Sequence, residues 1–559
     1  MRTLEDYFHE ELTRLHHDGA ELARQRPDLA PFLGLPGQDP DVERLLEGVA
    51  LLCAQIHARL DDELPELSQS LLELAAPQQL QPVPALGMLH CQPMTAAILQ
   101  PQCLRAGSLF HAASQDTLTL RTLQDGWVYP AELAACSFGP THLQTELRLF
   151  QPTPLAGIDW SRLSFWLSDG LGNAKLLYAY LHQHLAGIEI LTPQRHALPA
   201  ATLRWPDLQT RAPLLGAGIE GGALGLIDDL YHLPASLLCF QLDVPCLNDA
   251  QPLTTIGLRL HFTQPLPAAL HHSARALQIN LFPCANLTTC EAEPIVLDGR
   301  RSSYPLYLPA GSDTENWIYR LRKVTLEVNG QRTRLAPLLE LSPDDTHLGY
   351  QLRQQQDTRQ RLRYRLQLGA DPRLTEHDRA PLLSIELDTC SPTASEQLGP
   401  DAGFRPGVGS LSCLSAKLAS TLTPCLPPVL TPAAHWQTLG QLQSASARIW
   451  DRPRLLALLR TRHRLAQKDP SQRQRLQQQL AAIIDVAQTR DAQWLTHGGL
   501  PQQHTRITLD QQAFGGVGET ELFGCVLAAA LSRLCPLNTQ HRLTFLYADT
   551  GEQRAWPCR

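Results

Sequence analysis

The 559-residue chain is poor in charged residues: Asp, Glu, Lys and Arg make up only 18% of it, against about a quarter in a typical soluble protein. Four of the 47 basic residues are lysines, and the arginines are scattered along the chain. The sequence therefore lacks a cationic stripe of the kind that follows a nucleic-acid backbone. With a formal net charge of −8, nucleic-acid binding is disfavoured. Low charge and an apolar content of 43% together indicate that partners cover large surfaces.

The sequence also lacks an uninterrupted apolar run of about 18 residues, which a membrane-spanning helix would need. Its beginning, MRTLEDYFHEELTRL, carries acidic residues and no apolar segment, so neither a secretory signal nor a transit peptide is expected. The 14 cysteines contain no C-x-x-C pair, and most have apolar neighbours, as buried free thiols do in a reducing compartment. We expect a cytoplasmic protein without direct membrane insertion.

Motifs of common enzyme classes are missing as well. The sequence has no H-E-x-x-H zinc motif and no G-x-S-x-G nucleophile elbow. Asp228 and Asp229 are adjacent, and on a helix they would point about 100° apart, which does not suit two carboxylates that flank one glycosidic bond. We predict no catalytic residue, no cofactor and no metal ligand. The paired histidines, which have no Cys or carboxylate at ligand spacing, are His16 and His17, His182 and His184, and His271 and His272.

Three glycines, Gly216, Gly218 and Gly221, spell G-x-G-x-x-G, a pattern that can mark a dinucleotide-binding loop between a strand and a helix. Pro213 shortens any strand before it, and no β-α-β rhythm surrounds it. We interpret the pattern as a structural turn that precedes a short helix.

The clearest pattern is the stretch DPDVERLLEGVALLCAQIHARLDDELPELSQSLLELAA, residues 39–76. Ala50, Ala54 and Ala58 form a stripe of small residues at steps of four, and Gly48 predicts the closest approach of a neighbouring helix. Large apolar residues at three- and four-residue steps predict a second stripe that faces a core. A helix enclosed on most sides belongs to a bundle. The large residues of this stripe are Val42, Leu45, Leu46, Val49, Leu52, Ile56 and Leu60.

Two prolines divide this stretch. Pro40 lies near the predicted helix start, where it costs no hydrogen bond, and Pro65 predicts a second helical segment after a kink. Asp61, Asp62 and Glu63 fall where the first segment would end, and negative charge is unfavourable there. We interpret them as caps of the segment after Pro65. An arginine-bearing partner is the first alternative, and a metal-binding carboxylate cluster is the second.

The order of helical, alternating and Gly- and Pro-rich segments along the chain predicts a multidomain α+β fold. Residues 1–80 form an N-terminal helical segment. Short alternating apolar segments predict two β-rich domains at 81–240 and 241–394. The Gly-, Pro- and Ser-rich stretch 395–435 predicts a linker or extended arm. Residues 436–559 form a C-terminal mixed α/β domain.

The segment DPDVERLLEGVALLCAQIHARLDDELPEL resembles the N-terminal helix and acidic turn of the TssF family, the baseplate wedge subunits of bacterial type VI secretion systems. An opening helix is predicted over residues 3–26, with Leu4, Tyr7 and Phe8 on one face and Thr3 as its cap. Its pattern is similar to the opening of that family.

Two further stretches carry the resemblance. A glycine-rich turn and a short helix lead to YHLPASLLCFQL, where Ala235 and Ser236 replace a charged pair of the family pattern. The second stretch is the C-terminal RITLDQQAFGGVGETELFGCVLAAALSRLCPLN. The family-motif residues, all assigned a structural role, are Pro40, Tyr231, Pro234, Phe240, Phe514, Leu522, Phe523, Gly524 and Asn538.

The resemblance covers nearly the whole chain and implies a non-enzymatic scaffold subunit. It implies that two TssF copies join one TssG through a helical bundle, that TssE and TssK attach, and that the wedges surround the VgrG spike. The resemblance also implies the sheath and the membrane complex as neighbours, and a location at the inner face of the inner membrane. It implies that docking of the baseplate is coupled to sheath contraction. The predicted subunit interface comprises Leu4, Tyr7, Phe8, Val42, Leu45, Leu46, Val49, Leu52, Ile56, Leu60, Asp61, Asp62 and Glu63.

Two alternatives stay open at this point. A wedge protein of a phage tail or of an extracellular contractile injection particle is compatible with the same residue patterns. A β-rich carbohydrate-active enzyme could draw its active-site residues from separate strands and would then show no local motif. Behaviour in solution separates the classes, because a scaffold subunit should be poorly soluble without its partner whereas an enzyme should be a soluble monomer.

Overall fold

A computed structural model describes residues 4–26, 28, 30–33, 39–94, 100–113, 118–155, 158–168, 170–193, 195–216, 219–243, 252–272, 274–298, 301–309, 316–340, 348–356, 361–369, 381–446, 450–491, 501–536 and 539–557. The helices in these ranges are α1 (Leu4–Gln25), α2 (Ala30–Leu33), α3 (Pro40–Ala75), α4 (Leu171–His184), α5 (Ile219–His232), α6 (Ala394–Gln397), α7 (Pro432–Ser446), α8 (Arg452–Arg462), α9 (Leu465–Lys468), α10 (Pro470–Ala482), α11 (Gln511–Phe514) and α12 (Val517–Leu534).

Most of the remaining described backbone is β-structure. The strands are β1 (Leu86–Pro93), β2 (Gln102–Leu104), β3 (Leu109–Ala112), β4 (Thr119–Thr122), β5 (Gly126–Val128), β6 (Ala131–Leu133), β7 (Ser137–Phe138), β8 (His142–Pro154), β9 (Ser164–Leu167), β10 (Leu185–Leu191), β11 (Arg195–Pro199), β12 (Leu203–Arg204), β13 (Cys239–Leu242), β14 (Pro252–Phe262), β15 (Leu277–Gln278), β16 (Leu281–Ala285), β17 (Thr288–Glu291), β18 (Ile295–Val296), β19 (Ser303–Leu306), β20 (Trp317–Val328), β21 (Gln331–Pro337), β22 (Gly349–Gln356), β23 (Leu362–Leu368), β24 (Leu382–Cys390), β25 (Gly403–Pro406), β26 (Leu414–Leu418), β27 (Ile483–Asp491), β28 (Gln502–Leu509), β29 (Gln540–Tyr547) and β30 (Gln553–Pro557). The predicted α+β class is confirmed.

Helix α3 is continuous over 36 residues, which corrects the prediction of two segments divided at Pro65. Asp39 caps its start by accepting hydrogen bonds from the backbone N–H groups of Asp41 and Val42, and Pro40 occupies the first turn as predicted. The helix continues because α1 packs against it and α7 packs against it as well, and such packing offsets the one hydrogen bond that an internal proline removes. No helix therefore starts at Pro65 for the preceding acidic residues to cap, so that interpretation is wrong.

Six strands close into a small barrel in the order β1-β16-β4-β3-β25-β26. Its interior is apolar and includes Leu89, Phe110, Leu120 and Phe404. Two of the strands come from residues 395–435, so this stretch is not the predicted linker. Its glycines serve the turns between short strands, as at Gly409, whose φ of 77° suits glycine. The barrel draws on three of the predicted domains, whose boundaries stay predictions.

The sheet β11-β10-β14-β8-β6, with β7 paired to β8, shares one hydrophobic core with the C-terminal sheet β27-β28-β29-β30. Leu177 of α4, Ile227 of α5 and Leu527 of α12 are buried between them. Strands β28 and β29 are parallel, so the chain between them must cross back, and α12 makes that crossing. The four-stranded sheet β12-β13-β9-β15 also contributes to this core.

The sheet β17-β24-β20-β21-β22-β23-β19, with β18 paired to β24, has its own core. Asp388 of β24 is fully buried and bonds Arg121 of the barrel at 3.0 Å and Arg320 of β20 at 2.9 Å. This ion-pair cluster joins the sheet to the barrel. In the part of the chain that the structure describes, no helix combines the length and apolar character needed to cross a bilayer.

Candidate subunit interface

The first half of α3 packs against α1 through its small residues. Ala50 and Ala54 are fully buried, and two ion pairs flank them on the same helix face. His57 Nδ1 lies 2.8 Å from Glu11 Oε1, and His16 Nε2 lies 2.8 Å from a carboxylate oxygen of Glu43. Alanine lets the backbones of α1 and α3 approach closely, so the small-residue stripe of α3 packs against α1 of the same chain.

The second half of α3 packs against α7. Leu72 is fully buried there, and Ser68 Oγ lies 3.0 Å from His435 Nδ1. His435 Nε2 in turn bonds the carbonyl oxygen of Val429 at 2.9 Å. The buried residues described in the two halves of α3 therefore lie on the same helix face, with α1 against the first half and α7 against the second.

The stripe of large apolar residues, predicted to face a core, is exposed instead. Leu45 is 70% exposed, Val49 45%, Leu52 61% and Ile56 58%. The reason is that α3 has two apolar stripes, and the chain's own helix uses the one that permits closer packing. The prediction for Gly48 is also wrong, since among the described residues no neighbouring atom lies within 4 Å of a Cβ built there.

Two exposed leucines of the second half of α3 lie on the same side of the helix. Leu67 and Leu74 are 55% and 67% exposed, and at about 100° per residue they fall in the same arc of about 60° as Leu45, Val49, Leu52 and Ile56. The steps of four, three and four among the first members are those of a helix that packs against another helix in a coiled-coil manner. These six residues are called the α3 stripe below.

The other predicted interface residues are placed differently. Val42 and Leu46 of α3 are half-buried beside the α3 stripe, and Tyr7 and Phe8 of α1 are half-buried. The side chains of Leu4, Leu60, Asp61, Asp62 and Glu63 lie outside the described residues. The structure thus brings only Leu45, Val49, Leu52 and Ile56 together on one exposed face.

Comparison with known protein families decides the affiliation. The model described as "Type VI secretion system, TssF" matches residues 1–559. The chain belongs to the TssF family.

One curated relative is TssF1, a type VI secretion system component of Pseudomonas aeruginosa, with 30% identity over 265 residues. That match covers 42% of this chain and 42% of TssF1, so it spans less than half the length of the relative. Among solved structures, a chain of the type VI secretion TssK-TssF-TssG baseplate subcomplex has a TM-score of 0.75 at 20% identity and covers 93% of this chain and 98% of that chain. A chain of a type VI secretion baseplate complex has a TM-score of 0.58 at 18% identity, with coverages of 99% and 98%. At these identities the likeness shows the fold.

The central TssF motif residues are packing residues. Phe240 is fully buried and stacks on Phe165, with ring centroids 5.3 Å apart. Tyr231 lies against His463 of the segment after α8, with centroids 4.3 Å apart, and Pro234 begins a short 3₁₀ turn. The motif therefore packs α5 against the C-terminal helices.

The C-terminal TssF motif also builds the core. Phe514 and Phe523 pack with ring centroids 4.9 Å apart, and Leu522 is buried. Gly524 lies so close to Trp556 that an added Cβ would be 2.3 Å from its ring. Asn538 lies outside the described residues.

The two adjacent acids of α5 have separate partners, as expected from their divergence on a helix. Asp228 bonds Arg462 at 3.0 Å, and Asp229 accepts the backbone N–H of Leu214 through both oxygens at 3.1 and 3.2 Å. Burial raises the pKa of Asp229 to about 8, although nearby Arg211 and that hydrogen bond oppose the shift. Both acids hold loops and helices together.

A cavity of about 450 Å³ lies where α4, α5 and α12 meet the barrel. Glu519 Oε2 accepts from Lys175 Nζ at 2.7 Å and from Arg475 at 2.7 Å, and burial lowers the pKa of Lys175. These charged groups in its lining pair with one another, which fits a structural role. The sequence could not reveal this network, because Lys175 and Glu519 are separated by 344 positions.

Within the described residues, one group of three side chains could hold a metal ion: His182, Glu521 and Cys525. Sequence reasoning missed it, because His182 lies on a different helix from the other two. The available signal was the i, i+4 spacing of Glu521 and Cys525, which places both on one face of α12.

Proposed function

We propose that this chain is a scaffold subunit of the type VI secretion baseplate wedge that docks through the α3 stripe onto a helix of a TssG-type partner. The observation that carries the proposal is the α3 stripe itself, six large apolar side chains that remain 45% to 70% exposed in the chain alone. A soluble protein seldom leaves so many large apolar side chains exposed on one helix face without a partner.

The chemistry of the stripe favours a helix as its occupant. Its three- and four-residue steps present a straight apolar seam, and a partner helix with the same spacing could interdigitate along it. A flat sheet or a small ligand would cover only part of the seam that Leu45, Val49, Leu52 and Ile56 form. The partner helix should therefore be amphipathic and at least about three turns long.

The likeness to chains of solved baseplate complexes supports TssG and TssK as partners, since the name of one such complex contains both. We extend the proposal to a second copy of this chain on the same TssG, to TssE, and to the VgrG spike that the wedges surround. The location would be the inner face of the bacterial inner membrane, beside the sheath and the membrane complex.

The proposed mechanism is mechanical. Each wedge would hold its neighbours in a fixed arrangement, and docking would change the packing between wedges, which would release sheath contraction. Low charge content and extended apolar interfaces suit such a role. The whole-chain family match supports this function over a phage-tail wedge, an extracellular injector or a carbohydrate-active enzyme.

Co-expression of the chain with the TssG-type and TssK-type proteins of the same secretion system tests the proposal. We expect a complex that survives purification, with two copies of this chain per TssG, and poor solubility of the chain expressed alone. A well-behaved monomer that fails to enter any such complex would overturn the proposal. Turnover of a polysaccharide by that monomer would establish the enzyme alternative instead.

A further inference from the structure

Helices α4 and α12 cross in close contact. A Cβ added to Gly518 would lie 2.6 Å from the backbone of Lys175 and Leu176. Within two turns further along both helices, the crossing brings together His182 of α4 with Glu521 and Cys525 of α12. One ring nitrogen, one carboxylate oxygen and the thiol sulfur of these residues all lie within 4.8 Å of one another.

The imidazole of His182 is held in a fixed orientation. Its ring stacks on Trp205, with centroids 4.2 Å apart and planes inclined by 13°, and lies 4.4 Å from the ring of Tyr178. Its Nε2 is buried, and none of the described residues forms a hydrogen bond to it. Neutral imidazole binds metals through an unprotonated ring nitrogen, and this buried Nε2 is free to serve as one.

Glu521 is fully buried and already oriented by outer partners. One of its oxygens accepts from Gln183 at 2.8 Å and from Arg554 Nε at 3.2 Å, and the other accepts from Arg554 Nη2 at 2.9 Å. A carboxylate has about four acceptor positions, so one position remains for a further ligand. Hydrogen-bonded carboxylates of this kind are typical of metal ligands with an ordered outer shell.

We propose that His182, Glu521 and Cys525 bind one divalent transition-metal ion of the zinc type, with water in the fourth position. The nitrogen, oxygen and sulfur set suits zinc, whereas magnesium and calcium prefer oxygen alone. Ligand atoms around tetrahedral zinc lie about 3.5 Å apart, so the site would close by a rotation of the Cys525 side chain, with the carboxylate of Glu521 kept in place by its outer partners.

Charge and access are compatible with such an ion. A cysteine binds zinc as the thiolate, so metal binding must release the Cys525 proton to solvent. The resulting thiolate and the Glu521 carboxylate supply two negative charges to the ion, and the Arg554 guanidinium, 2.9 Å from Glu521 and with a side chain 33% exposed, leaves the site with one net positive charge that is partly solvated. Cys525 and His182 are both partly exposed, which provides a path for the ion. The bound ion would fasten α4 to α12.

Cobalt binding tests the site, because a thiolate ligand produces a charge-transfer band in the near ultraviolet. The full chain, purified with its TssG-type partner and treated with a chelator, would be titrated with Co²⁺ and then with Zn²⁺. We expect a band that saturates near about one equivalent and disappears when zinc displaces cobalt. Cys525→Ser should abolish the band, and His182→Phe, which keeps a ring on Trp205, should weaken cobalt binding at least about tenfold. Cys413→Ser, at a half-buried thiol of the barrel, is the matched control and should behave as the wild type.

Absence of the band in the wild type, or its persistence in Cys525→Ser, would overturn the proposal. If that variant does not fold, X-ray absorption of the zinc-loaded wild type decides the question. One sulfur at about 2.3 Å with nitrogen or oxygen at about 2.0 Å supports the site, and a shell without sulfur refutes it.

Discussion

Replacement of Ile56 by aspartate tests the role of the α3 stripe most directly. Ile56 is 58% exposed in the chain alone, so Ile56→Asp should change the free energy of unfolding by only about 0.5 kcal/mol. In the assembled wedge the same side chain would be buried. The substitution should therefore separate assembly from folding.

The expected loss of affinity follows from that exposed fraction. Complete burial of an isoleucine side chain contributes about 1.5–3 kcal/mol. Somewhat more than half of the Ile56 side chain remains to be buried on docking, so its burial should contribute about 1–2 kcal/mol to binding. An unpaired carboxylate in the apolar seam costs about 2–3 kcal/mol more after relaxation. A total of about 3–5 kcal/mol raises the dissociation constant by about 10²- to 10⁴-fold. Val49→Asp should act in the same way.

The assay is co-purification with the tagged TssG-type partner, followed by titration of purified components. Gln55→Asp is the matched control, because Gln55 is exposed on α3 next to Ile56 but lies about 60° outside the arc of the α3 stripe. Gln55→Asp should assemble normally. Normal assembly of Ile56→Asp, or equal loss in both variants, would refute the assignment of this face to a subunit interface.

Three further predictions concern stability and are measured by urea unfolding. Gly48→Ala should raise the free energy of unfolding by about 0.5–1 kcal/mol, since the site is an open helix position. Gly518→Ala should lower the free energy of unfolding, because its Cβ would meet the α4 backbone at 2.6 Å. Equal effects of the two substitutions would contradict this assignment of open and crowded positions. Asp388→Ala should cost about 3–5 kcal/mol by leaving Arg121, with a side chain only 9% exposed, without its carboxylate partner. Arg121 also donates to Thr289 Oγ1 at 2.7 Å, and a near-neutral effect of Asp388→Ala would show that this hydrogen bond alone satisfies it. Burial raises the pKa of Asp229 in the native state to about 8 from 3.8, so the native state keeps a proton that the unfolded state releases, and stability should fall as pH rises from about 4 to about 8. Asp229→Asn should flatten that dependence, and an unchanged slope would count against it.

The sequence alone determined the elements that rest on local periodicity and on family motifs. The three- and four-residue steps predicted α1 with nearly its observed bounds and the first half of α3, and Pro40 marked the start of α3. The motif around Phe514 and Phe523 predicted a structural role, and the structure places both rings in the core. These features follow from neighbours in sequence, whose geometry a helix or a turn already defines.

Only the tertiary structure decided which apolar stripe of α3 is covered by the chain itself. Both stripes have the same period, and the choice depended on how closely α1 could approach Ala50 and Ala54. The same holds for residues 395–435, whose glycines and prolines suit a linker as well as they suit the turns of a closed barrel. Long-range pairs such as Lys175 with Glu519, and the group of His182, Glu521 and Cys525, arise from the packing of α4 on α12. Local propensity carries no information on such contacts, because the free energy that selects them belongs to the packed core.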